Sequence, residues 1–230
     1  MEVATLTSPD AGELAAGGSV LAVPLGSTEQ HGPHLPLSTD TDIAVALCER
    51  LALRRNVVIA PEIAYGSSGE HAGFPGTLSI GQQALELLLV ELCRSACETF
   101  PRVVLVSAHG GNAEPVARAV RTLCGEGREV LAFTPHWEGE PHAGRTETAL
   151  QMALHPDRVL MARAEPGDTR PIHELMPLLR VGGVRAVAAN GVLGDPRGAT
   201  ADEGVTLLDS LAVDLTRVVD AWLATMPTVR

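Results

Sequence analysis

The chain alternates short apolar segments with longer amphipathic ones, a pattern that few architectures can accommodate. Four short apolar segments are predicted as strands: Val20 to Leu25, Val57 to Pro61, Val103 to Ser107 and Val130 to Thr134. Between and after them, apolar residues recur at three- and four-residue steps, as on one face of a helix. Strands that alternate with helices build a parallel sheet with helices packed on its faces. The sequence therefore predicts an α/β fold, with residues 1–230 forming one domain.

The amphipathic segments predict five helices. They run from about Asp42 to Leu53, Gln82 to Glu98, Ala113 to Cys124, Glu147 to Leu154 and Asp202 to Ala224. The tract from Glu165 to Thr200 differs, because it is rich in proline and glycine and its apolar pieces are short. Such a composition is typical of turns and loops. We expect this tract to form excursions from the sheet and not a second domain.

The charged residues exclude several classes of protein. The net charge is −11, and all 17 basic residues are arginines scattered along the chain. A nucleic-acid partner is not expected, since a phosphate backbone would be repelled. The absence of lysine removes the residue that a Walker A loop and Schiff-base chemistry both require. Nucleoside triphosphatases of the Walker type and pyridoxal enzymes are therefore excluded.

The sequence also carries no sign of a membrane or of an oxidising compartment. No apolar stretch approaches the length of a membrane span, and the N-terminus lacks a basic segment followed by an apolar run. The four cysteines form no C-x-x-C pair, so packing in the core is expected for them and not metal binding or disulfides. We expect a cytoplasmic protein without a membrane partner.

Polar side chains cluster directly after two of the predicted strands. Glu29 and His31 follow the first strand, Asp40 comes shortly before a predicted helix, and His109 follows the third strand. Because open α/β sheets bind ligands at the carboxyl ends of their strands, these four residues can converge on one crevice. A mixed set of oxygen and nitrogen ligands without a thiolate suits zinc, manganese or iron.

Each of these residues also has an ordinary structural interpretation. Glu29 and His31 point to the same side of an extended segment, but such a pair alone is a weak signal for a metal. Asp40 can bridge two ions through its two carboxylate oxygens, or it can simply cap the N-terminus of a helix. His109 precedes two glycines and can belong to a simple turn. Together, at successive strand ends, the four residues favour a metal site.

The sequence contains two further polar clusters. His142 and Glu147 open a predicted helix, and Glu70 and His71 lie in a polar loop that follows the second strand. The cluster at His142 supplies another histidine and another carboxylate. Glu147 taken alone is more typical of a carboxylate in the first turn of a helix.

Together these segments resemble the creatininase family. The resemblance covers nearly the whole chain and rests on ordered motifs: Thr28 to His34 followed by Asp40, Phe74 to Thr77, His109 to Asn112, and His142 to Thr148. It implies a three-layer α/β/α sandwich with a mostly parallel sheet. It also implies two divalent metal ions per chain and a homo-oligomer, often a hexamer.

The resemblance further implies which residues hold the ions. Glu29, Asp40 and His109 should hold one ion, and His31, Asp40 and a further carboxylate should hold the second. Creatininase has a glutamate two residues after the histidine that matches His109, whereas this chain has glycine at position 111. We assign Glu147 to that role, as both a ligand and a catalytic carboxylate. His142 matches a histidine that handles the proton during amide cleavage.

Two stretches resemble the branch of the family that serves mycofactocin biosynthesis, namely Gly69-Glu70-His71 and the segment from Ala188 to Thr200. This likeness implies a peptidase whose substrate is a small modified ribosomal precursor peptide ending in a decarboxylated, cross-linked Val-Tyr. Glu70 and His71 are expected to contact that substrate. The alternative within the family is an amidohydrolase acting on creatinine or a formamide. A non-enzymatic nucleotide-binding or regulatory α/β module is disfavoured, because no G-x-G-x-x-G follows a strand.

Overall fold

A four-stranded parallel sheet forms the centre of the computed structural model, which describes residues 1–225. The strands are β1 (Val20–Leu25), β2 (Val57–Ile59), β3 (Arg102–Ser107) and β4 (Glu129–Phe133), in the spatial order β2-β1-β3-β4. All three strand pairs are parallel. The four predicted strands are confirmed. Residues 226–230 of the predicted domain lie outside the described residues.

Seven α-helices accompany the sheet in the described residues. They are α1 (Ser8–Ala16), α2 (Thr39–Ala52), α3 (Gln82–Ala96), α4 (Ala113–Gly125), α5 (Arg145–Leu154), α6 (Ile172–Val187) and α7 (Ala201–Ala224). The five predicted helices are confirmed, while α1 and α6 were not predicted. Only Ala15 of α1 is buried, so this helix has little apolar periodicity to reveal it. Its start is instead fixed by a capping box between Thr7 and Asp10.

The helices cover both faces of the sheet, as the predicted three-layer sandwich requires. Alternate residues of β1 enter two separate cores, because side chains of a strand point to opposite faces. Val20 and Ala22 join the cluster formed with α2, α5 and α7. Leu21, Val23 and Leu25 join the cluster formed with α1, α3 and α4. All six residues of β1 are buried, as is typical of a central parallel strand.

The prediction of turns and loops for Glu165 to Thr200 was wrong for residues 172–187, which form α6. Pro177 inside this helix and the glycines near its end conceal the helical pattern. Gly183 has a φ of +67°, so the helix is kinked there. Leu175, Val184, Ala188 and Leu193 form a third, smaller apolar cluster. The tract therefore has a core of its own beside the sheet.

None of the helices described for residues 1–225 combines the length and the apolar composition that a membrane span requires.

Candidate metal centre

The segment that follows β1 packs directly on the first turn of α2. A Cβ atom at Gly26 would lie 2.4 Å from the backbone nitrogen of Thr41, so only glycine allows this approach. The approach places Ser27 beside Asp40, and the Ser27 hydroxyl donates a hydrogen bond of 2.7 Å to Asp40 Oδ2. Asp40 is not the N-cap of α2, since Ser38 holds that position. Its carboxylate turns inward and is almost completely buried.

Three buried residues from separate segments meet at one point to form the first group of candidate ligands, which consists of Glu29, Asp40 and His109. His109 follows β3, the neighbour of β1 in the sheet. Its Nδ1 atom lies 3.2 Å from Asp40 Oδ2, and its Nε2 atom lies 3.2 Å from Glu29 Oε2. The carboxyl ends of two adjacent strands thus supply this group, as the sequence predicted.

The second group consists of His31, Asp40 and Glu147, all buried. His31 Nε2 lies 3.2 Å from Asp40 Oδ1 and 3.8 Å from Glu147 Oε2. Glu147 is in the first turn of α5, where its Oε2 atom accepts a 2.6 Å hydrogen bond from the backbone nitrogen of Ala143. One oxygen of Asp40 therefore faces each group. This is the geometry that a carboxylate bridging two ions requires.

Both carboxylate oxygens of Glu29 are buried and have no hydrogen-bond partner among the described residues. A buried carboxylate without partners is strongly destabilising unless a cation compensates its charge. Burial raises the pKa of Glu29 to about 7, and the negative charge of Asp40 adds to this effect. Burial likewise raises the pKa of Glu147 to about 7. The donor set, with its unpartnered oxygens, fits a divalent cation.

The two histidines of these groups respond to the carboxylates around them. Burial lowers the pKa of His31, but the charge of Asp40 and a hydrogen bond to it outweigh burial and raise that pKa to about 10. Burial also lowers the pKa of His109, but Glu29 and Asp40 raise it to about 9. Conversely, burial would raise the pKa of Asp40, while His31 and His109 hold it well below its usual range. The carboxylates of the cluster thus favour positive charge beside them.

Two more buried histidines lie beside the two groups. The rings of His31 and His142 have centroids 4.4 Å apart, and the rings of His142 and His71 are also 4.4 Å apart. Burial lowers the pKa of His71 to about 3, with the positive charge of His31 as the next cause. The same two causes hold the pKa of His142 well below its ordinary value. The pKa shifts of these two rings are therefore opposite in direction to those of His31 and His109.

The structure gives a physical reason why position 111 carries no side chain. A Cβ atom at Gly111 would lie 2.2 Å from the carbonyl oxygen of Ser67 and 2.4 Å from Glu70 Oε1. Glu70 fills this space from the short 3-10 helix Gly69–His71, and its Oε1 atom lies 3.8 Å from His109 Nε2. A different segment therefore places a carboxylate where a longer residue at position 111 would point.

The structure brings every predicted site residue into this one region, and it adds others that the sequence did not single out. Asn112 ties two loops together, since its amide nitrogen donates to Gly26 O and its amide oxygen accepts from Ser67 N. Ser27 orients Asp40. Gln30 contacts both His71 and His142. The inward orientation of Gln30 depends on contacts made far along the chain, and no local sequence pattern indicates it.

A third group of possible ligands consists of Glu29, His31 and His142, so three candidate groups overlap in the described residues and two of them share Asp40. Such a cluster of carboxylates and histidines at the carboxyl edge of a parallel sheet is typical of metal-dependent hydrolases. The chain belongs to the creatininase family, whose sequence profile, described as Creatinine amidohydrolase, matches residues 4–219. Like its family, it is a metal-dependent enzyme that hydrolyses an amide or peptide bond.

Several relatives are similar over most of their length. The Mycofactocin precursor peptide peptidase of Mycolicibacterium smegmatis is 52% identical over 194 residues, which cover 80% of this chain and 78% of that protein. The protein of the same name from Mycobacterium tuberculosis is 44% identical over 233 residues, covering 96% and 92%. The Creatinine amidohydrolase of Pseudomonas putida is 29% identical over 230 residues, covering 85% and 86%.

Solved creatininases have the same fold. The crystal structure of a creatinine amidohydrolase matches with a TM-score of 0.82 and 26% identity, covering 95% of this chain and 96% of that one. Two further creatininase structures, described as a manganese form and as a mutant of a zinc–zinc type, each match with a TM-score of 0.80. These comparisons confirm the predicted three-layer creatininase-like fold.

Proposed function

We propose that this chain releases the modified C-terminal Val-Tyr dipeptide from the mycofactocin precursor peptide by cutting the peptide bond before the valine. The observation that carries the proposal is the 52% identity to a relative named Mycofactocin precursor peptide peptidase, in a chain whose candidate ligands all converge. The creatinine amidohydrolase of Pseudomonas putida is much less similar, at 29% identity. The substrate is thus a modified ribosomal precursor peptide.

The proposed centre holds two divalent ions, which are zinc, iron or manganese. Glu29, Asp40 and His109 hold one ion, while His31, Asp40 and Glu147 hold the other. Two observations support this assignment. The oxygens of Glu29 have no hydrogen-bond partner among the described residues, and the two oxygens of Asp40 face different groups. Two such ions, when bound, lower the pKa of a water molecule and polarise the scissile carbonyl group.

His142 is the proposed proton-transfer residue, and the atom that acts is Nδ1. The Nε2 atom lies 2.9 Å from the backbone carbonyl oxygen of Gln30 and donates a hydrogen bond to it. The Nδ1 atom faces the site, 3.9 Å from Glu29 Oε1. It can accept a proton from the attacking water and deliver it to the departing amine, because an unprotonated amine leaves poorly. Glu147 acts beside it as a catalytic carboxylate as well as a ligand.

Glu70 and His71 are the proposed contacts to the peptide. The side chain of Glu70 is 36% exposed, which makes it the most accessible of the proposed site residues, whereas His71 is buried behind it. The 3-10 helix that carries them therefore lies between solvent and the two metal groups. A peptide that approaches the scissile position from this side meets both residues.

The wider assignment treats residues 1–230 as one hydrolase domain, supported by the family match to residues 4–219. A cytoplasmic homo-oligomer, in hexameric form, is the proposed state. Leu87, Leu88 and Leu92 of α3 are 62%, 38% and 39% exposed, and an apolar helix face of this kind supports an interface between subunits.

The test is mass spectrometry of the precursor peptide after it has been treated with the radical enzyme that modifies its Val-Tyr end. We expect the dipeptide to be released when this protein is added and to remain attached without it. Creatinine and a formamide, assayed in parallel, should show little or no turnover. Both tryptophans of the chain pack against the apolar core. Efficient creatinine hydrolysis with an intact peptide would favour the alternative amidohydrolase.

A further inference from the structure

The side-chain amide of Gln30 lies buried between His71 and His142. Its Oε1 atom accepts a 2.9 Å hydrogen bond from the backbone N–H of Gly32. Its Nε2 atom lies 2.9 Å from His71 Nδ1, 2.9 Å from His142 Nε2 and 3.0 Å from the carbonyl oxygen of Gly191. If the amide were flipped, its nitrogen would face the N–H of Gly32 and its oxygen would face the carbonyl oxygen of Gly191. Two backbone groups therefore fix the orientation of this amide.

An amide nitrogen carries two hydrogens, so its three contacts cannot all be donated hydrogen bonds. The carbonyl oxygen of Gly191 can only accept and takes one hydrogen. His142 Nε2 also lies 2.9 Å from the backbone carbonyl of Gln30, which again can only accept, so His142 donates there. The contact between the nitrogens of Gln30 and His142 is then not a hydrogen bond. The second amide hydrogen remains for His71 Nδ1.

This distribution of hydrogens gives the two rings opposite roles. Because His71 accepts a hydrogen bond at Nδ1, its own hydrogen is at Nε2. That Nε2 atom lies 3.3 Å from Glu29 Oε1, yet no hydrogen bond joins them in the described structure. His142 carries a hydrogen at Nε2, which leaves Nδ1 as the atom that can accept a proton. One ring thus offers a donor to the site and the other offers an acceptor.

We propose that Gln30 is a positioning residue that fixes His71 as an N–H donor and His142 as a proton acceptor of the same site. The inference rests on the proposed hydrolase function, because the oxygen of the scissile amide is the atom that accepts the hydrogen bond from His71. A hydrogen bond from His71 Nε2 stabilises the negative charge that develops on this oxygen during attack. No proton leaves His71, and the proton taken from water passes only through His142.

Gly191 shows how closely Gln30 is held. A Cβ atom at this position would lie 1.8 Å from Gln30 Oε1, and the φ of Gly191 is +80°. Gly198 has nearly the same φ, +79°, but its Cβ would meet only Arg145 Nη1 at 3.4 Å. Substitution by alanine imposes similar backbone strain at both positions. Only the change at Gly191 displaces the amide of Gln30, so Gly198→Ala is its matched control.

The direct test is nitrogen NMR of the zinc-loaded protein with ¹⁵N-labelled histidine, with the His71 signals assigned from their loss in His71→Asn. We expect the wild-type His71 ring to be protonated at Nε2 and unprotonated at Nδ1. In Gln30→Glu an acceptor replaces the amide donor, so a hydrogen should appear at His71 Nδ1. A wild-type ring protonated at Nδ1, or a His71 spectrum unchanged in Gln30→Glu, would overturn the inference.

Kinetics and metal analysis supply the second measurement. We expect Gln30→Glu and Gly191→Ala to lower kcat for the modified peptide by about 10² to 10³-fold, the usual effect of losing one donor to a developing oxyanion. Metal content should remain that of the wild type, and Gly198→Ala should retain wild-type kcat. Equal losses in Gly191→Ala and Gly198→Ala would contradict the role of Gln30. The NMR measurement needs no substrate. If it shows the expected tautomers but the peptide is not cleaved, the result counts against the proposed function and not against the role of Gln30.

Discussion

Residues 26–42 and 109–112 lie on the carboxyl edge of the parallel sheet, whereas residues 69–76 and 165–200 lie beside it and contact one another. We call the first set the sheet edge and the second the cover. The sheet edge supplies four of the five proposed ligands, namely Glu29, His31, Asp40 and His109. The cover supplies Glu70 and His71, and it adds the carbonyl of Gly191 that holds Gln30.

The two regions are stabilised in different ways. The sheet edge follows strands whose side chains enter the two large cores, so its position is determined by the sheet itself. The cover has only the small cluster around Leu175 and Val184, together with close backbone contacts. A Cβ at Gly183 would lie 2.6 Å from the carbonyl oxygen of Glu70, and Arg185 donates to the carbonyl of Gly73. We therefore expect changes to the ligands of the sheet edge, or to residues that orient those ligands, to affect metal binding, and changes in the cover to affect turnover alone.

The largest effect is expected for Asp40→Ala. Loss of this carboxylate removes a ligand from both groups, so activity should fall below detection and metal content should fall well below the two equivalents expected of the wild type. Metal analysis of protein purified without chelator measures this. Asp42→Ala is the control, because Asp42 lies on the same helix but hydrogen-bonds with Ser38 and Gln151, outside the ligand groups. A metal-free wild-type protein that is fully active after dialysis against chelator would refute the centre itself.

A smaller but still large loss is expected for His142→Ala. This residue lies between the two regions, and removal of a proton-transfer group typically lowers kcat by ~10² to 10⁴-fold. Because His142 is not a proposed ligand, the variant should retain its metal. Steady-state kinetics with the modified peptide, combined with metal analysis, separate the two roles. If His142→Ala lost metal as fully as Asp40→Ala, His142 would have to be counted as a ligand.

Ser27→Ala should weaken metal binding without abolishing it. Its hydroxyl donates to Asp40 Oδ2, and loss of such an outer hydrogen bond typically costs about 10 to 100-fold in metal affinity. Competition with a chromophoric chelator would measure the change. Ser107→Ala is the matched control, since the buried Ser107 hydroxyl has no hydrogen-bond partner among the described residues. Equal affinities in the two variants would show that Ser27 does not orient Asp40.

The smallest effect is expected in the cover, for Gly183→Ala. The new methyl group meets the backbone of Glu70, so it should displace Glu70 and His71 and lower turnover about tenfold through misplacement of the substrate. Metal affinity should not change. Gly127→Ala is the control, because Gly127 has a similar φ of +79° and no atom within 4 Å of its Cβ. Loss of metal in Gly183→Ala would show that the cover and the sheet edge are not independent.

Much of the sheet edge could be predicted from the sequence. The strands are short apolar segments, and β1, β2 and β3 are almost entirely buried. The polar residues after β1 and β3 have to meet because parallel neighbours end at the same edge. Glu29, His31, Asp40 and His109 were found in this way. Glu147 came from the family resemblance, because its place in the first turn of α5 has an ordinary structural explanation as well.

The cover could not be predicted to the same extent. Pro177 and Gly183 interrupt the periodicity of α6, so a helix was predicted as turns and loops. Local propensity is a weak guide in such a tract, because tertiary contacts decide whether the helix forms. The roles of Gln30 and Asn112 were also missed. Each depends on hydrogen bonds to residues distant in the sequence, such as those from Gln30 to His71 and Gly191.

The sequence by itself determined the class of fold, the residue types of the metal centre and the exclusion of lysine-dependent chemistry, because hydrophobic periodicity and residue identity are local properties. Only the tertiary structure decided that one oxygen of Asp40 faces each group and that Glu70 fills the space beside Gly111. It also decided which nitrogen of His142 faces the site. These features depend on distances between segments far apart in the chain, and such distances are fixed only when the two cores and the cover pack together.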